Sequence, residues 1–510
     1  LGERIARICI FFQNTENVNF YLTCYYNLIK HFIEKCIIQL YIFIEKCIFA
    51  IYYFIEKCNF MLYRKIGSYI EEHLKSDSDK ILLLEGARQI GKSYIIREVS
   101  KRVYDNFVEL NFVEDEDGKK LFKDIHSTED FYITLSMVAG DKLDKYENTL
   151  VFLDEIQQYP QYLTMLKFFR QDKRYRFIAS GSLLGLTLHS TTSIPIGSII
   201  RKEMFQLDFE EFLIANSFGN DAITFIKNKF KNKESLPESQ HNRLMDLFKR
   251  YLIVGGMPDA VNIYLETHNI VKVRELQNNI IKMYADDASK YESNNGKNLM
   301  IKRIYDMIPS QMENKKKRIV VKDIRNRDGD RFDKYYEEFE YLISSGITLD
   351  VHAISNPRFP VAESAHKNLL KLYLNDIGML TSQLYDKNIK PILDDIKSIN
   401  LGSVYESVVA QELKSHGNKL FYYDNRSKGE VDFILDDYNN LSILPIEVKS
   451  GRDYSIHSAL NNMISTNEYN VKHAFVLSNE RVVKQKDNIL YLPIYYVMFI
   501  NNQDCIEEIF

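Results

Sequence analysis

The spacing of hydrophobic positions changes several times along this chain, and each change predicts an element. From Met61, "MLYRKIGSYIEEHLKSDSDK" spaces its apolar residues as an amphipathic helix does. A continuous apolar run follows at Ile81 to Leu84, then a glycine-bearing loop. Beyond the loop, Ile95, Val99 and Val103 recur at the interval of one helical face. Three more short runs, in "NFVELNF" (Asn106 to Phe112), "NTLVFLDEIQQYP" and "YRFIASGSLLGL", have the length of strands; the run Leu150 to Leu153 suits one buried on both faces. Together they predict four parallel strands with helices between them. From about Glu210 to Tyr291 the pattern is helical, broken at Gly255-Gly256-Met257-Pro258 by either a hinge or a plain turn. Residues 300–385 read as short helices followed by a hairpin. Helical spacing returns at Val404, Val408 and Leu413, before two alternating strands that flank a turn at Asn439-Asn440.

The first 60 residues stand apart. "FIEKC" begins at Phe32, Phe43 and Phe54, a period of 11 residues. Such a period suits a right-handed supercoil, but near-identical units also read as a translated nucleotide repeat upstream of a start at Met61. Glu-Lys pairs interrupt the apolar runs well short of the ~18 residues a membrane span needs. Residues 1–60 are therefore set aside as a doubtful extension. Five of the six cysteines lie there, and no C-x-x-C pair exists, so neither a zinc site nor a disulfide framework is indicated. Only Cys505 lies beyond them, and the long cysteine-free stretch between suits a reducing cytoplasm. The net charge of −4 excludes a globally basic nucleic-acid glove and leaves local basic patches open.

The glycine-bearing loop carries the most specific chemistry. Gly86-Ala87-Arg88-Gln89-Ile90-Gly91-Lys92-Ser93-Tyr94 lies between a strand and a helix, the context a phosphate-binding loop requires. Gly86 and Gly91 let backbone N–H groups face phosphate oxygens, and the helix N-terminus adds its positive end. Lys92 is expected at the β- and γ-phosphates of ATP, and Ser93 on Mg²⁺. Asp154 and Glu155 end a buried strand, where ligands of open α/β sheets collect. Asp154 is expected in the magnesium shell and Glu155 as the base for the attacking water. In Ser180-Gly181-Ser182, Ser182 is the candidate sensor of the γ-phosphate.

"GARQIGKS", "LDEIQQYP", "ASGSLLGLTL", "SIPIG", "FQLDFEEFL", "YLIVGGMPDAV" and "LKLYLNDIGML" together resemble a widespread prokaryotic group of AAA-type P-loop ATPases with an uncharacterised C-terminal domain. The resemblance covers about residues 61–510. It implies ATP binding and hydrolysis and brings no known substrate. Sites of this type are often completed by an arginine from elsewhere, for which Arg201 is a candidate.

In the middle of the chain, the short helices and hairpin resemble the winged-helix module that this group often has. Its basic run Lys315-Lys316-Lys317-Arg318 is either a phosphate contact or a solvated turn. Further on, Val431, Phe433 and Leu435 are expected on one strand face with Asp432 on the other. In "LPIEVKSG", Glu447 and Lys449 share a face, so a hairpin brings Asp432, Glu447 and Lys449 together, with Glu406 on the helix behind. This arrangement resembles the PD-(D/E)xK nuclease fold, with Val431-Asp432 in place of Pro-Asp. The resemblance implies that Glu406, Asp432 and Glu447 hold Mg²⁺ and that Lys449 activates or positions water. A cross-strand salt pair uses the same residue types.

The expected fold is a multidomain α/β chain. Residues 1–60 are the extension, 61–214 a P-loop parallel sheet and 215–299 a helical lid. Residues 300–390 form a winged-helix-like module, and 391–510 a restriction-endonuclease-like α/β domain. The expected partners are ATP with Mg²⁺, DNA or RNA, and further copies in a homo-oligomer; no membrane is expected. One reading is an ATP-hydrolysing machine driving a nuclease-like domain. The other is a nucleotide-switched binding or scaffold protein whose nuclease-like domain does not cut.

Overall fold

The computed structural model describes residues 62–501 except 118, 144–147, 183, 185–196, 291–294, 315–316, 326–329, 395–398, 400 and 452–456. The "FIEKC" repeats, Met61, Lys315, Lys316 and most of "SIPIG" lie outside the described residues. Among the described residues no helix is long and apolar enough to cross a membrane.

The first helix, α1 (Lys65–Lys75), leads into a parallel sheet of five strands in the order β2-β3-β4-β1-β5. These are β1 (Ile81–Glu85), β2 (Asn106–Asn111), β3 (Thr149–Asp154), β4 (Arg176–Gly181) and β5 (Ile199–Glu203). Helix α2 (Lys92–Val103) follows β1, α3 (Thr128–Ala139) precedes β3, and α4 (Gln161–Asp172) joins β3 to β4. Alternate residues of β1 enter two cores: Leu82 and Leu84 pack with α1 and α2, while Leu83 packs with Val151, Leu153 and Phe177. The sequence predicts four of these strands. β5 escapes because it is an edge strand, "IIRKE", whose polar alternate positions break the apolar run.

Helix α5 (Phe209–Ala215) then starts on a capping box in which Asp208 and Glu211 satisfy each other's backbone N–H groups. Four helices follow: α6 (Asn220–Lys231), α7 (Glu238–Val254), α8 (Pro258–Thr267) and α9 (Ile270–Lys290). The turn between α7 and α8 is tied down. Gly255 has φ +73°, and a Cβ there would lie 2.2 Å from Asp376 Oδ1. Gly256 N–H donates to Asp376 Oδ2 at 2.6 Å, and Leu207 N–H to Gly256 O at 2.8 Å.

After α10 (Asn295–Met312) and α11 (Tyr336–Ser344), the predicted hairpin forms from β6 (Thr348–Ile354) and β7 (Ala365–Leu374). It is continuous with the C-terminal strands, because β6 pairs in parallel with β8 (Phe421–Asn425). The resulting sheet has eight strands, ordered β12-β13-β11-β10-β9-β8-β6-β7. The remainder are β9 (Gly429–Asp437), β10 (Ser442–Val448), β11 (Ala474–Ser478), β12 (Lys484–Lys486) and β13 (Ile489–Pro493). Helix α12 (Ile377–Tyr385) and helix α13 (Gly402–Ser415) lie between β7 and β8 in the chain, and α14 (Ser458–Ile464) follows β10.

One strand departs from the expected alternation. Along β8 and β9, Tyr423 pairs with Val431 but Phe421 with Ile434, so β9 carries an extra residue across Asp432 and Phe433. Val431 accordingly joins Ile434 in the small core with Leu460 of α14, while Phe433 and Leu435 join the main core. The predicted common face of Val431, Phe433 and Leu435 is broken by this bulge. Bulges re-aim side chains, and this one falls at Asp432.

Candidate functional site

The loop between β1 and α2 takes its shape from three residues with positive φ: Gly86 (+148°), Gln89 (+61°) and Gly91 (+89°). At Gly86 a Cβ would lie 2.3 Å from the carbonyl oxygen of Met204, so only glycine fits. Ala87 and Ile90 are buried beneath the loop, and Tyr94 is exposed on α2. Lys92 is buried and donates to the carbonyl oxygens of Gly86 (3.0 Å) and Ala87 (2.7 Å). Burial brings its ammonium down to about 8, against the pull of Glu155 and Asp154.

Across the loop, Asp154 is buried at the end of β3. It accepts from Ser180, from Ser93 and from the Glu155 N–H (3.1 Å). Burial raises its carboxyl, and the two serine hydroxyls oppose that rise. Glu155 sits at φ +53°, a left-handed conformation that turns its side chain away from the strand line. Its Oε2 accepts from Gln157 and from Ser182 (3.2 Å). Ser182 also accepts from Gln157 (3.1 Å) and Arg88 Nε (3.3 Å). The two serines therefore divide the work, Ser180 on Asp154 and Ser182 on Glu155. Gln157 was missed by sequence reasoning, although it follows Glu155 by two residues.

Elements from farther along the chain hold the loop from outside. Arg88 pairs with Asp287 of α9, and the Tyr284 hydroxyl donates to Arg88 O at 2.7 Å. Gln89 reaches the Met283 sulfur at 3.5 Å. Arg201 forms two hydrogen bonds with Glu85, at 3.0 and 2.7 Å, so this arginine is committed within its own sheet.

A second cluster of charge lies on the C-terminal sheet. Glu406 of α13 is buried; its Oε1 pairs with Lys317, and its Oε2 accepts from the Tyr373 hydroxyl (3.3 Å) and lies 3.8 Å from Lys371. Lys371 is fully buried, 2.5 Å from Glu430 and 4.6 Å above the Tyr422 ring. Asp432 accepts from Val448 N–H at 2.8 Å and is hydrogen-bonded to Glu406. Lys449 reaches Glu447 Oε1 at 2.7 Å, and Glu447 Oε2 is buried with no hydrogen-bond partner.

The structure thus brings Glu406, Asp432, Glu447 and Lys449 into one cluster, and adds Lys317, Lys371, Tyr373 and Glu430. Burial pushes Asp432 well up, reinforced by the charges of Glu406 and Glu447. Burial would also raise Glu406, but Lys371 and Lys317 hold it below its ordinary value.

As the side chains stand, the expected ligand set is altered. Among the described residues no group of three or more His, Cys, Asp or Glu side chains is arranged to hold a metal ion. Glu406, Glu430 and Glu447 are already paired with ammonium groups. Lys317 and Arg318 differ from a freely solvated turn: both are only partly exposed, Lys317 paired with Glu406 and Arg318 with Asp424 at 3.3 Å. A signal for Lys371 was present in "LKLYL", where a lysine interrupts a buried strand.

Helix α13 also touches the ATPase side. Glu412 Oε1 accepts from Phe209 N–H (2.9 Å) and the Tyr251 hydroxyl (3.0 Å), and Gln411 donates to Tyr251 at 2.6 Å. The α5 capping box in turn holds Arg64 and Lys65, through Arg64–Glu211 (3.1 Å) and Lys65–Asp208 (2.7 Å).

Comparison with known proteins divides the chain in three. Residues 78–213 match the model of a family described as AAA domain. Residues 245–389 and 401–497 match two domains of unknown function, DUF8612 and DUF4143. No curated protein matches significantly. Similar solved structures include PCH-2 of C. elegans, at 13% identity and TM-score 0.26, covering 41% of this chain and 65% of that one. The chain thus spans just under two thirds of that protein's length. Another is Aeropyrum pernix ORC1 in complex with DNA, at 10% identity and TM-score 0.28, covering 66% and 91%. A third is the S. cerevisiae Hsp104-ADP complex, at 12% identity and TM-score 0.26, covering 69% and 42%. The family match and the five-stranded parallel sheet make residues 78–213 an AAA-type P-loop domain.

Proposed function

We propose that this protein binds and hydrolyses ATP, and that its ATPase domain acts on a PD-(D/E)xK-like site directed at nucleic acid. The observation that carries the first half is the convergence of Lys92, Ser93, Asp154 and Glu155 at one end of the parallel sheet. Lys92 would exchange two backbone carbonyls for the β- and γ-phosphates of ATP. Ser93 and Asp154, already hydrogen-bonded to each other, are the hard oxygen donors that would hold Mg²⁺, which neutralises charge on the phosphates. Glu155, kept in place by Gln157 and Ser182, would orient and deprotonate the attacking water, a role worth ~10²–10⁴-fold in rate.

The second half rests on Asp432, Glu447 and Lys449 meeting at adjacent strands beside Glu406. Asp432 and Glu447 would contribute oxygen ligands to a divalent cation, and Lys449 would position the water that attacks a phosphodiester. The unpartnered Oε2 of Glu447 supports a ligand at this point. Residues 300–390, whose β6–β7 hairpin is part of the same sheet, would act as a winged-helix-like module contiguous with it, with the protein working in the cytoplasm as a homo-oligomer on DNA or RNA. A second reading has its own support. Lys317 and Lys371 already neutralise Glu406, which favours a nucleotide-switched binding protein whose C-terminal site grips and does not cut.

The deciding experiment incubates purified protein with Mg²⁺, ATP and labelled DNA or RNA, following phosphate release and strand cleavage together. Turnover with cleavage supports the first reading. Slow hydrolysis with retained nucleotide and intact strands supports the second. Absence of nucleotide binding overturns both.

A further inference from the structure

The basic run at 315–318 reads as a solvated or phosphate-facing turn, yet its third residue is turned inward. Lys317 has φ +46°, and its side chain, 18% exposed, ends on Glu406 Oε1. On the following residues, Arg318 pairs with Asp424 and Ile319 N–H donates to Leu370 O at 3.0 Å, which fixes the backbone against β7. These contacts fix the backbone just after Lys317, whose ammonium meets Glu406 at Oε1.

Three ammonium groups enter the cluster, and they differ in how they are held. Lys371 is an interior residue of β7, fully buried between Glu406 and Glu430. Lys449 follows β10 directly and is spent on Glu447. Lys317 belongs to neither a helix nor a strand, and reaches the cluster from outside the C-terminal sheet. It also occupies Oε1 of Glu406, one of the three carboxylates that the metal-site reading assigns to a divalent cation. Two cations at one carboxylate oxygen in a buried setting repel strongly, so an ammonium and a divalent ion exclude one another there.

We propose that Lys317 is the resident cation of this site and decides what it can take: a divalent ion enters only when the Lys317 side chain leaves Glu406. The inference rests on the reading that Glu406, Asp432 and Glu447 form a metal site. It makes that site weak for free metal in the protein as folded. It also makes occupancy depend on whatever draws Lys317 away, for which the phosphate groups of a nucleic-acid substrate have the right charge.

Isothermal titration of the full chain with Mn²⁺ alone tests this. Lys317→Met is expected to bind Mn²⁺ at least tenfold more tightly than wild type, and the gain should vanish when Asp432→Asn is added. Lys317→Arg, which keeps the charge, should bind as weakly as wild type. Equal affinity in wild type and Lys317→Met overturns the proposal; if that binding is lost in Asp432→Asn, the metal-site reading survives. No Mn²⁺ binding sensitive to Asp432 in either chain overturns both. A second measurement needs no substitution at Lys317. Acylation of surface amines, mapped by mass spectrometry, should label Lys317 several-fold more in saturating Mn²⁺, and not in Asp432→Asn. Unchanged labelling of the wild-type chain contradicts the proposal.

Discussion

The guanidinium of Arg64 donates a 2.9 Å hydrogen bond to the carbonyl oxygen of Ile90, inside the phosphate-binding loop. The same side chain is paired with Glu211 of α5, so the residue just before α1 ties the loop to the far end of the ATPase domain. Arg64→Ala would leave Glu211 buried without its partner. The expected loss is ~3–5 kcal/mol in urea unfolding, with weakened nucleotide affinity. A chain beginning at Met61 keeps this contact and should hydrolyse ATP as the full chain does. Poor solubility or lost turnover in that chain would give the preceding repeats a structural role.

Lys92 and Glu155 should separate binding from turnover. Lys92→Ala is expected to abolish nucleotide binding or hydrolysis, and Glu155→Gln to retain ATP while stopping hydrolysis. Wild-type turnover in Glu155→Gln would show that the base lies elsewhere.

Because burial brings Lys92 down to about 8, its positive charge is present below that pH and is lost above it. Phosphate favours the charged form. Nucleotide affinity should therefore fall as pH rises from 7 to 9.5, with proton uptake on binding at the upper end. Lys92→Arg stays charged throughout, so any affinity it retains should be flat over this range. Fluorescent-nucleotide titrations at each pH distinguish the two slopes.

Asp376 offers a different pH test. It accepts from Gly256 N–H (2.6 Å) and caps α12 through Met379 N–H (3.0 Å), yet burial still pushes its carboxyl up to about 6. The folded chain thus holds this proton more tightly than the unfolded chain does. The stability it contributes is greatest below about pH 4 and declines as pH rises to about 6. Asp376→Asn should be less stable than wild type, since it loses acceptors for several backbone N–H groups. Its deficit should shrink by about 1.4 kcal/mol between pH 5 and pH 7.5, measured by urea unfolding. A constant deficit would contradict the raised value.

Lys449→Ala should remove any strand cleavage and leave ATP turnover within twofold of wild type. The two clusters share no residue, and among the described residues the Lys449 side chain is hydrogen-bonded to Glu447. Loss of both activities together would mean that the C-terminal cluster acts through the ATPase domain's stability.

The parts of this molecule legible in the sequence are those fixed by local backbone rules. Gly86, Gly91 and Lys92 follow from one loop, and Asp154 and Glu155 from the end of one strand, so short spacing was enough. The division of labour between Ser180 and Ser182 depends on how far β4 is offset along β3, which spacing within one strand does not determine. Strict alternation puts Asp432 opposite Val431, Phe433 and Leu435, but the bulge in β9 parts Val431 from Phe433 and Leu435 through a pairing with β8 that the strand itself does not announce. Lys317 and Lys371 reach Glu406 from 89 and about 35 residues away, across a sheet whose order joins β6 to β8. Contacts of that kind are set by topology and not by periodicity.

Helix α13 carries a consequence for how such chains can be recombined. Every residue from Ser403 to Leu413 is buried, with Glu406 facing one cluster and Glu412 the backbone of Phe209. No glycine or proline interrupts that stretch. A hybrid protein that grafted residues 401–497 onto a foreign motor would carry the buried Glu412 to a place with no donor for it. It would also leave β8 without β6. The interchangeable unit is therefore larger than any one of the three family matches, since it must keep α5 with Phe209 and β6 beside β8. Gene fusions cut between those matches should yield insoluble protein, while fusions that keep residues 62–501 whole should not.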